Sequence, residues 1–170
     1  MKAIKFFAVA ILFSGVSVIS SAQVTATATA SSTIVTPIGI TKTVDMNFGN
    51  VAINSTTAGT VVLAPAGTRT STGGVTLPAT AGTVAAAEFN VTGANNYTFS
   101  ITLPSTSHEI KSGSNTMSVT GFTSTPTPTG TLSATGSATV KVGATLNVSP
   151  GQAAGTYTSV TPFEVTVNYN

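Results

Sequence analysis

Ala138-Thr-Val-Lys-Val-Gly-Ala-Thr-Leu-Asn-Val148 is a stretch in which apolar and polar side chains alternate. A period of two places the apolar residues on one face of a β-strand and the polar residues on the other. Gly143 lies inside the stretch, and we expect a bulge there. Ser149-Pro-Gly151 then turns the chain. The stretch predicts a strand with one buried face and one solvated face.

Further extended stretches recur along the chain, and clusters of Gly, Pro, Asn and Ser separate them. Helical periodicity is absent after residue 22. About eight to ten short strands at this spacing predict a sandwich of antiparallel sheets, with a closed barrel as the alternative. The other predicted strands cover residues 24–30, 34–44, 60–64, 84–91, 97–103, 116–122 and 163–169.

Turn residues predict three of the connections between these strands. Thr92-Gly-Ala-Asn-Asn96 predicts a hairpin turn between the strands at 84–91 and 97–103. Residues 123–130 predict a loop, because two prolines cannot sit in a central hydrogen-bond ladder. Residues 65–74 are polar and rich in turn formers, and they predict a loop that carries Arg69.

The N-terminus has the pattern of an exported protein. Lys2 and Lys5 precede a nearly continuous apolar run from Phe6 to Ile19, and Ser20-Ser-Ala22 supplies a small-residue cleavage site. The run is shorter than the roughly 20 residues that span a bilayer comfortably. We predict a signal peptide at residues 1–22 and a single domain at 23–170, with an N-terminal membrane anchor as the alternative. The mature form would then have no stable membrane span.

Charge is scarce and gives no indication of a nucleic-acid partner. Charged residues are 6% of the chain, against about 25% in typical soluble domains. The net charge of +2 comes from the two lysines of the predicted signal peptide, and the remaining charges cancel. No basic patch for nucleic acid is present in the sequence. Serine and threonine take the place of charged residues, so we expect hydroxyl-coated solvent faces that give little protection against self-association.

The sequence contains no recognisable catalytic constellation. Acid–base catalysis needs titratable groups placed together, whereas the four carboxylates and the one histidine are scattered. His108 and Glu109 would point to opposite faces of a strand, and we interpret them as part of a solvated turn. One histidine and one carboxylate are too few ligands for zinc. A Gly-x-Ser-x-Gly elbow, a phosphate loop and a cysteine nucleophile are also absent, so we predict a non-enzymatic protein without metal or cofactor.

Both ends of the predicted domain, and one arginine, are candidate interaction sites. Near the N-terminus, threonines alternate with Val24, Ala26, Ala28 and Ala30. This segment could pair with a sheet edge of a neighbouring subunit or form an edge strand of its own domain. Phe163, Val165, Val167 and Tyr169 would share one face of a terminal strand. Arg69, the only arginine, either contacts a partner from its loop or hydrogen-bonds loop carbonyls and fixes the connection.

Several segments resemble a known bacterial family. They are Ile38-Gly-Ile-Thr-Lys-Thr-Val-Asp-Met-Asn-Phe-Gly-Asn50, Val62-Leu-Ala-Pro-Ala-Gly-Thr-Arg-Thr70, Val142-Gly-Ala-Thr-Leu146, Gly155-Thr-Tyr157 and Val165-Thr-Val-Asn-Tyr169. Together they are similar to the secreted family of domain of unknown function 4402. The resemblance implies an immunoglobulin-like β-sandwich without an established activity. The Phe-Gly element and the aromatic-ended last strand are also loosely similar to spore-coat-U-like and fimbrial subunits.

These observations lead to two functional expectations. The first is an exported structural or surface protein, fimbrial-like, which assembles with itself or with other surface proteins by strand pairing. The alternative is an adhesin-type module that recognises glycans or surfaces through its loops. In either case we expect the mature chain in the periplasm, on the cell surface or outside the cell.

Overall fold

The protein was analysed as a computed structural model, which describes residues 22–170. Residues Ile34–Asn170 form one compact unit, and all secondary structure in the described part of the chain is β. The predicted signal peptide lies outside the described residues except for Ala22. The strands are β1 (Gly39–Val44), β2 (Asn47–Phe48), β3 (Ala52–Ile53), β4 (Gly59–Leu63), β5 (Arg69–Gly73), β6 (Val75–Thr76), β7 (Val84–Ala85), β8 (Ala87–Thr92), β9 (Thr98–Thr102), β10 (His108–Ser112), β11 (Asn115–Thr125), β12 (Thr129–Thr131), β13 (Ser137–Val148), β14 (Thr158–Ser159) and β15 (Thr166–Tyr169).

These strands form a larger and a smaller sheet. The larger sheet has eight strands in the order β1-β8-β13-β11-β10-β14, with β4 also pairing with β13 and β5 with β4. The smaller sheet has the order β12-β9-β15, and two short pairs, β2-β7 and β3-β6, complete the structure. All strand pairs of the described chain are antiparallel. The prediction of an all-β antiparallel sandwich is confirmed, and the two separate sheets replace the alternative of a closed barrel.

Strand β13 is the centre of the larger sheet. Its first half pairs with β8 and its second half with β4 along one edge, while β11 occupies the other edge. The alternating apolar residues all lie on its inner face, and five of them are at most 5% exposed: Val140, Val142, Ala144, Leu146 and Val148. This strand of twelve residues therefore contributes buried side chains beside both β8 and β4.

The predicted bulge at Gly143 is wrong, because the irregularity lies in the neighbouring strand. The β11–β13 register shifts between Thr120 and Thr123, so β11 contains the extra residue. Gly121 has a φ of +59° there, a conformation that glycine adopts without a Cβ clash. Gly143 is required for a different reason, since a Cβ at this position would collide with the carbonyl oxygen of Leu63.

The core consists of two clusters beneath the inner face of the larger sheet. The first joins both sheets, because Val91 and Val140 of the larger sheet pack with Phe99 and Val167 of the smaller one. The second contains Val61, Val75, Val119, Ala144, Leu146 and Val148, with Phe48 and Ile53 of the short pairs packed against it. The smaller sheet thus covers one region of the larger sheet, and the short pairs cover the other.

Two predicted connections differ from the structure. Residues 92–96 do not close a hairpin, since β8 belongs to the larger sheet and β9 to the smaller one. Residues 69–73 were predicted as loop but form β5, an edge strand paired with β4. The predicted loop at 123–130 is shorter, because β11 continues to Thr125 and β12 begins at Thr129.

Candidate assembly site

The N-terminal segment is exposed and forms no strand. None of the described residues before Gly39 belongs to a strand, and Val24, Ala26, Ala28 and Ala30 are all exposed, with Val24 91% accessible. Residues 24–30 therefore form no strand in this structure, and the choice between pairing within the domain and pairing with a neighbouring subunit stays a prediction. Each alanine offers little apolar surface, at about 0.8 kcal/mol per buried CH₂-sized group, so the segment gains little from docking unless it also forms a hydrogen-bond ladder.

The C-terminal strand is shorter than predicted, so that of its four predicted inner residues only Val167 and Tyr169 lie in the strand. Strand β15 begins at Thr166 and pairs with β9. Val167 is buried in the first core cluster, and Phe163, Val165 and Tyr169 pack against the same cluster. All four predicted residues therefore contact one core. Phe163 does so from outside the ladder, with its ring 5.1 Å from that of Phe122 and 6.3 Å from that of Phe89.

The hydroxyl of Tyr169 fixes the place where the chain enters β1. It donates a hydrogen bond to the carbonyl oxygen of Thr36 over 2.7 Å and accepts one from the backbone N–H of Ala94 over 2.6 Å. The Tyr169 ring also meets that of Tyr97 edge-on at 5.5 Å. The last aromatic residue thus joins the entry to β1 with the connection between the two sheets, a role that the sequence did not indicate.

Strand β15 has one edge occupied by β9 and one edge without a strand partner among the described residues. The N–H of Asn170 donates to the carbonyl oxygen of Thr98, which makes 170 and 98 a hydrogen-bonded pair. Such pairs alternate along an antiparallel ladder, so Asn168 and Thr166 also bond towards β9. The backbone groups of Val167 and Tyr169 consequently point to the opposite edge.

Arg69 hydrogen-bonds the backbone of neighbouring segments instead of projecting into solvent from a loop. It is half-buried at the start of β5, and its guanidinium donates to the carbonyl oxygens of Phe48, Asn50 (2.7 Å) and Ala81 (3.4 Å). Of the two interpretations made from the sequence, this geometry supports the one in which the arginine fixes a connection. An arginine with this set of partners has few donors left for a ligand.

His108 lies in a strand and not in a solvated turn. It begins β10, and its Nε2 lies 2.9 Å from the hydroxyl oxygen of Ser159 in β14. Its ring packs edge-on against Phe163 at 5.9 Å, beside an open cleft of about 380 Å³ that Glu164 also lines. The described residues contain no group of three metal-ligating side chains. Sequence reasoning missed the contact with Ser159 because the two residues are far apart in the chain.

Within the part of the chain that the structure describes, no helix has the length and apolar character needed to cross a bilayer.

Comparison with known proteins gives a single positive result. The family described as "Domain of unknown function (DUF4402)" matches residues 38–169, from the residue before β1 to the end of β15. None of the curated proteins and none of the solved structures matches the chain. The looser similarity to spore-coat-U-like and fimbrial subunits stays a prediction. The match covers most of the sequence and all of the strands, and the chain therefore belongs to the DUF4402 family.

Proposed function

We propose that this chain is an exported, non-enzymatic surface protein that assembles with copies of itself by donating residues 24–30 as a β-strand. The observation that carries the proposal is the exposed segment at 24–30, which has the alternation of a strand but no ladder partner among the described residues 22–170. A strand without a partner leaves its backbone groups available, and a second sheet edge can take them up.

The composition of the segment supports transfer into a protein interface. Residues 22–38 contain no charged side chain, so pairing them would bury no charge. The alanines are small enough to lie beside a packed core, and the β-branched threonines suit the solvent face of a strand. The remainder of the described chain adds little electrostatic repulsion, because three of its four carboxylates form ion pairs with lysines of the same chain.

Two substitutions one residue apart test this proposal. In a donated strand Ala28 would face the core and Thr27 would face solvent. We expect Ala28→Asp to abolish assembly, since it would bury an unpaired carboxylate, and Thr27→Asp to preserve it. Size-exclusion chromatography of the exported protein, with intact-mass analysis to show a chain beginning at Gln23, measures both effects.

The matched pair separates the donated face from a general effect of charge. Both residues are exposed, so neither substitution should alter the fold, and circular dichroism checks this. A wild type that elutes as a monomer, like a variant lacking residues 23–32, would refute strand donation. Equal disruption by the two aspartates would show that the segment does not bind through one face.

The alternative of a loop-based adhesin receives less support from the geometry. Arg69, the loop residue predicted as its contact, is directed at backbone carbonyls. Tyr97 is the remaining aromatic candidate, and it is 45% exposed beside Tyr169. Glycan binding that is lost on replacement of Tyr97, by a protein that is monomeric, would favour the adhesin.

A further inference from the structure

Strand donation requires an acceptor, and the structure offers several sheet edges. We propose that the acceptor is the free edge of β15 in a second copy of this chain, where residues 24–30 would extend the smaller sheet to β12-β9-β15-donor. This inference rests on the proposed function, since it specifies where the donated strand binds.

The backbone of β15 is ready to receive a strand. The N–H and C=O groups of Val167 and Tyr169 point away from β9, as the hydrogen bond from Asn170 to Thr98 establishes. Nothing in the described part of the chain pairs with this edge, although β1 comes close to it. A donor strand would therefore bond to backbone groups that no neighbouring strand now uses.

The first core cluster is less well sealed beside this edge than at its centre. Val91, Phe99 and Val140 have 0% exposure, whereas residues beside the β1 and β15 edges, including Ile40 and Val165, are only partly buried. A strand added next to β15 would place its inward side chains over these residues. Alanine and valine add apolar contact there without the volume that a packed core would resist.

The outer face of the smaller sheet matches the other face of the donor. Its outward residues are all hydroxyl or amide side chains: Thr98, Ser100, Thr102, Thr129, Thr131, Thr166 and Asn168. If Val24, Ala26, Ala28 and Ala30 face the core, then Thr25, Thr27 and Thr29 continue this hydroxyl-rich surface. Both faces of the donor therefore fit the same placement, beside β15 with the apolar residues towards the core and the threonines towards solvent.

A second copy is the occupant that the structure favours over the chain's own segment. Residues 24–30 are exposed and form no strand, which leaves their backbone groups available to a neighbour. The lead-in to β1 is held at Thr36 by the Tyr169 hydroxyl, at the C-terminal end of β15. An extended segment before this point can reach a neighbouring copy, at about 3.3 Å per residue.

Disulfide trapping between two differently marked proteins tests the acceptor. The chain has no cysteine, so introduced thiols can pair only with each other. The donor protein carries Thr27→Cys, with Thr25→Cys and Thr29→Cys made separately to sample the register. The acceptor protein carries Asn168→Cys together with Ala28→Asp, which prevents its own segment from occupying the edge. The control acceptor carries Thr131→Cys and Ala28→Asp, which places the thiol on β12, the other edge of the same sheet.

We expect a disulfide-linked heterodimer of donor and Asn168→Cys acceptor when the two are refolded together and oxidised, and loss of this product with the Thr131→Cys control. Cross-strand neighbours come within disulfide range, while residues on opposite edges of a three-stranded sheet do not. Linkage to the control at the same level, or to neither acceptor while the wild type still assembles, would overturn the choice of β15 and leave strand donation standing. A wild type that is monomeric refutes both.

Discussion

Single side chains stabilise the parts of this fold that the ladders do not reach. Arg69 connects the backbone at Phe48, Asn50 and Ala81, and Tyr169 connects Thr36 with Ala94. Gly49, in the Phe-Gly element, has a φ of +69°, and a Cβ there would meet the carbonyl oxygen of Ala81 and the Arg69 guanidinium. The Phe-Gly element and the arginine therefore form one structural unit, although they lie about twenty residues apart.

This unit leads to a prediction for Arg69. Arg69→Met keeps much of the apolar stem but leaves the carbonyls of Phe48 and Asn50 without their donor, and hydrogen bonds to charged groups contribute about 1.5–3 kcal/mol. We expect the free energy of unfolding to fall by about 2–4 kcal/mol. Urea denaturation measures the change, with Lys42→Met as the control that also removes one positive charge.

The control should alter stability by less than about 0.5 kcal/mol, because Lys42 and Asp45 form an exposed ion pair. Equal losses in the two variants would mean that charge, and not the guanidinium geometry, explains the effect of Arg69.

At the scale of elements, β13 provides the best example of a strand that its sequence determines. Its inner residues are uniformly apolar, and both core clusters contain them. Leu146 is 3% exposed in the second cluster, whereas Thr139 lies exposed on the other face of the same strand. We expect Leu146→Ala to lower the free energy of unfolding by about 2–5 kcal/mol through lost burial and a residual cavity.

Thr139→Ala is the comparison for this prediction, because it shortens a side chain on the same strand without opening the core. We expect it to cost less than about 1 kcal/mol, mostly from the lower strand preference of alanine. Chemical denaturation of both variants checks the difference, and similar values would contradict the assignment of the two faces.

Several strands with a buried apolar face were predictable, and their partners were not. Most of β13, β8 and β9 follow from alternation, since only a buried face selects for period two. Strand β5 was missed because Arg69-Thr-Ser-Thr-Gly73 is polar throughout, and only its ladder with β4 makes it a strand. The turn at 92–96 has hairpin residues but joins two sheets, because local turn chemistry does not specify which sheet the next strand enters.

The same reasoning explains what could be predicted of the candidate site. The proposed donor segment was identified from the alternation of Val24 to Ala30, and the core-contacting residues near the C-terminus from the alternation of Phe163 to Tyr169. Which edge of β15 remains free depends on its pairing with β9, a contact between distant residues. The hydrogen bonds of the Tyr169 hydroxyl and of Arg69 could not be predicted from the sequence either, since their partners are backbone atoms that any residue provides.

On the scale of the whole molecule, the proposed association would depend on backbone pairing and apolar contact more than on charge. The ion pairs Lys42–Asp45, Lys111–Glu109 and Lys141–Glu88 lie on exposed or partly exposed side chains of one chain, and salt would weaken them without affecting the uncharged segment proposed as donor. The smaller sheet has only three strands, so a fourth strand would also extend the cover over the first core cluster. Assembly and stability of the fold should consequently be coupled.

This coupling predicts that a peptide can replace the neighbouring subunit. The Ala28→Asp protein should be a monomer with an open acceptor edge, and a synthetic peptide of residues 23–32 should bind it. A ligand that binds only the folded state stabilises it by about 2.7 kcal/mol at a concentration one hundred times its Kd. For a domain of this size we expect Tm to rise by about 5–10 °C, measured by calorimetry or thermal circular dichroism.

The same peptide with aspartate in place of Ala28 should leave Tm unchanged, because its carboxylate would be buried without a partner. An equal rise with both peptides would indicate nonspecific binding, and no rise with the native peptide at millimolar concentration would show that the sheet edge does not accept residues 24–30.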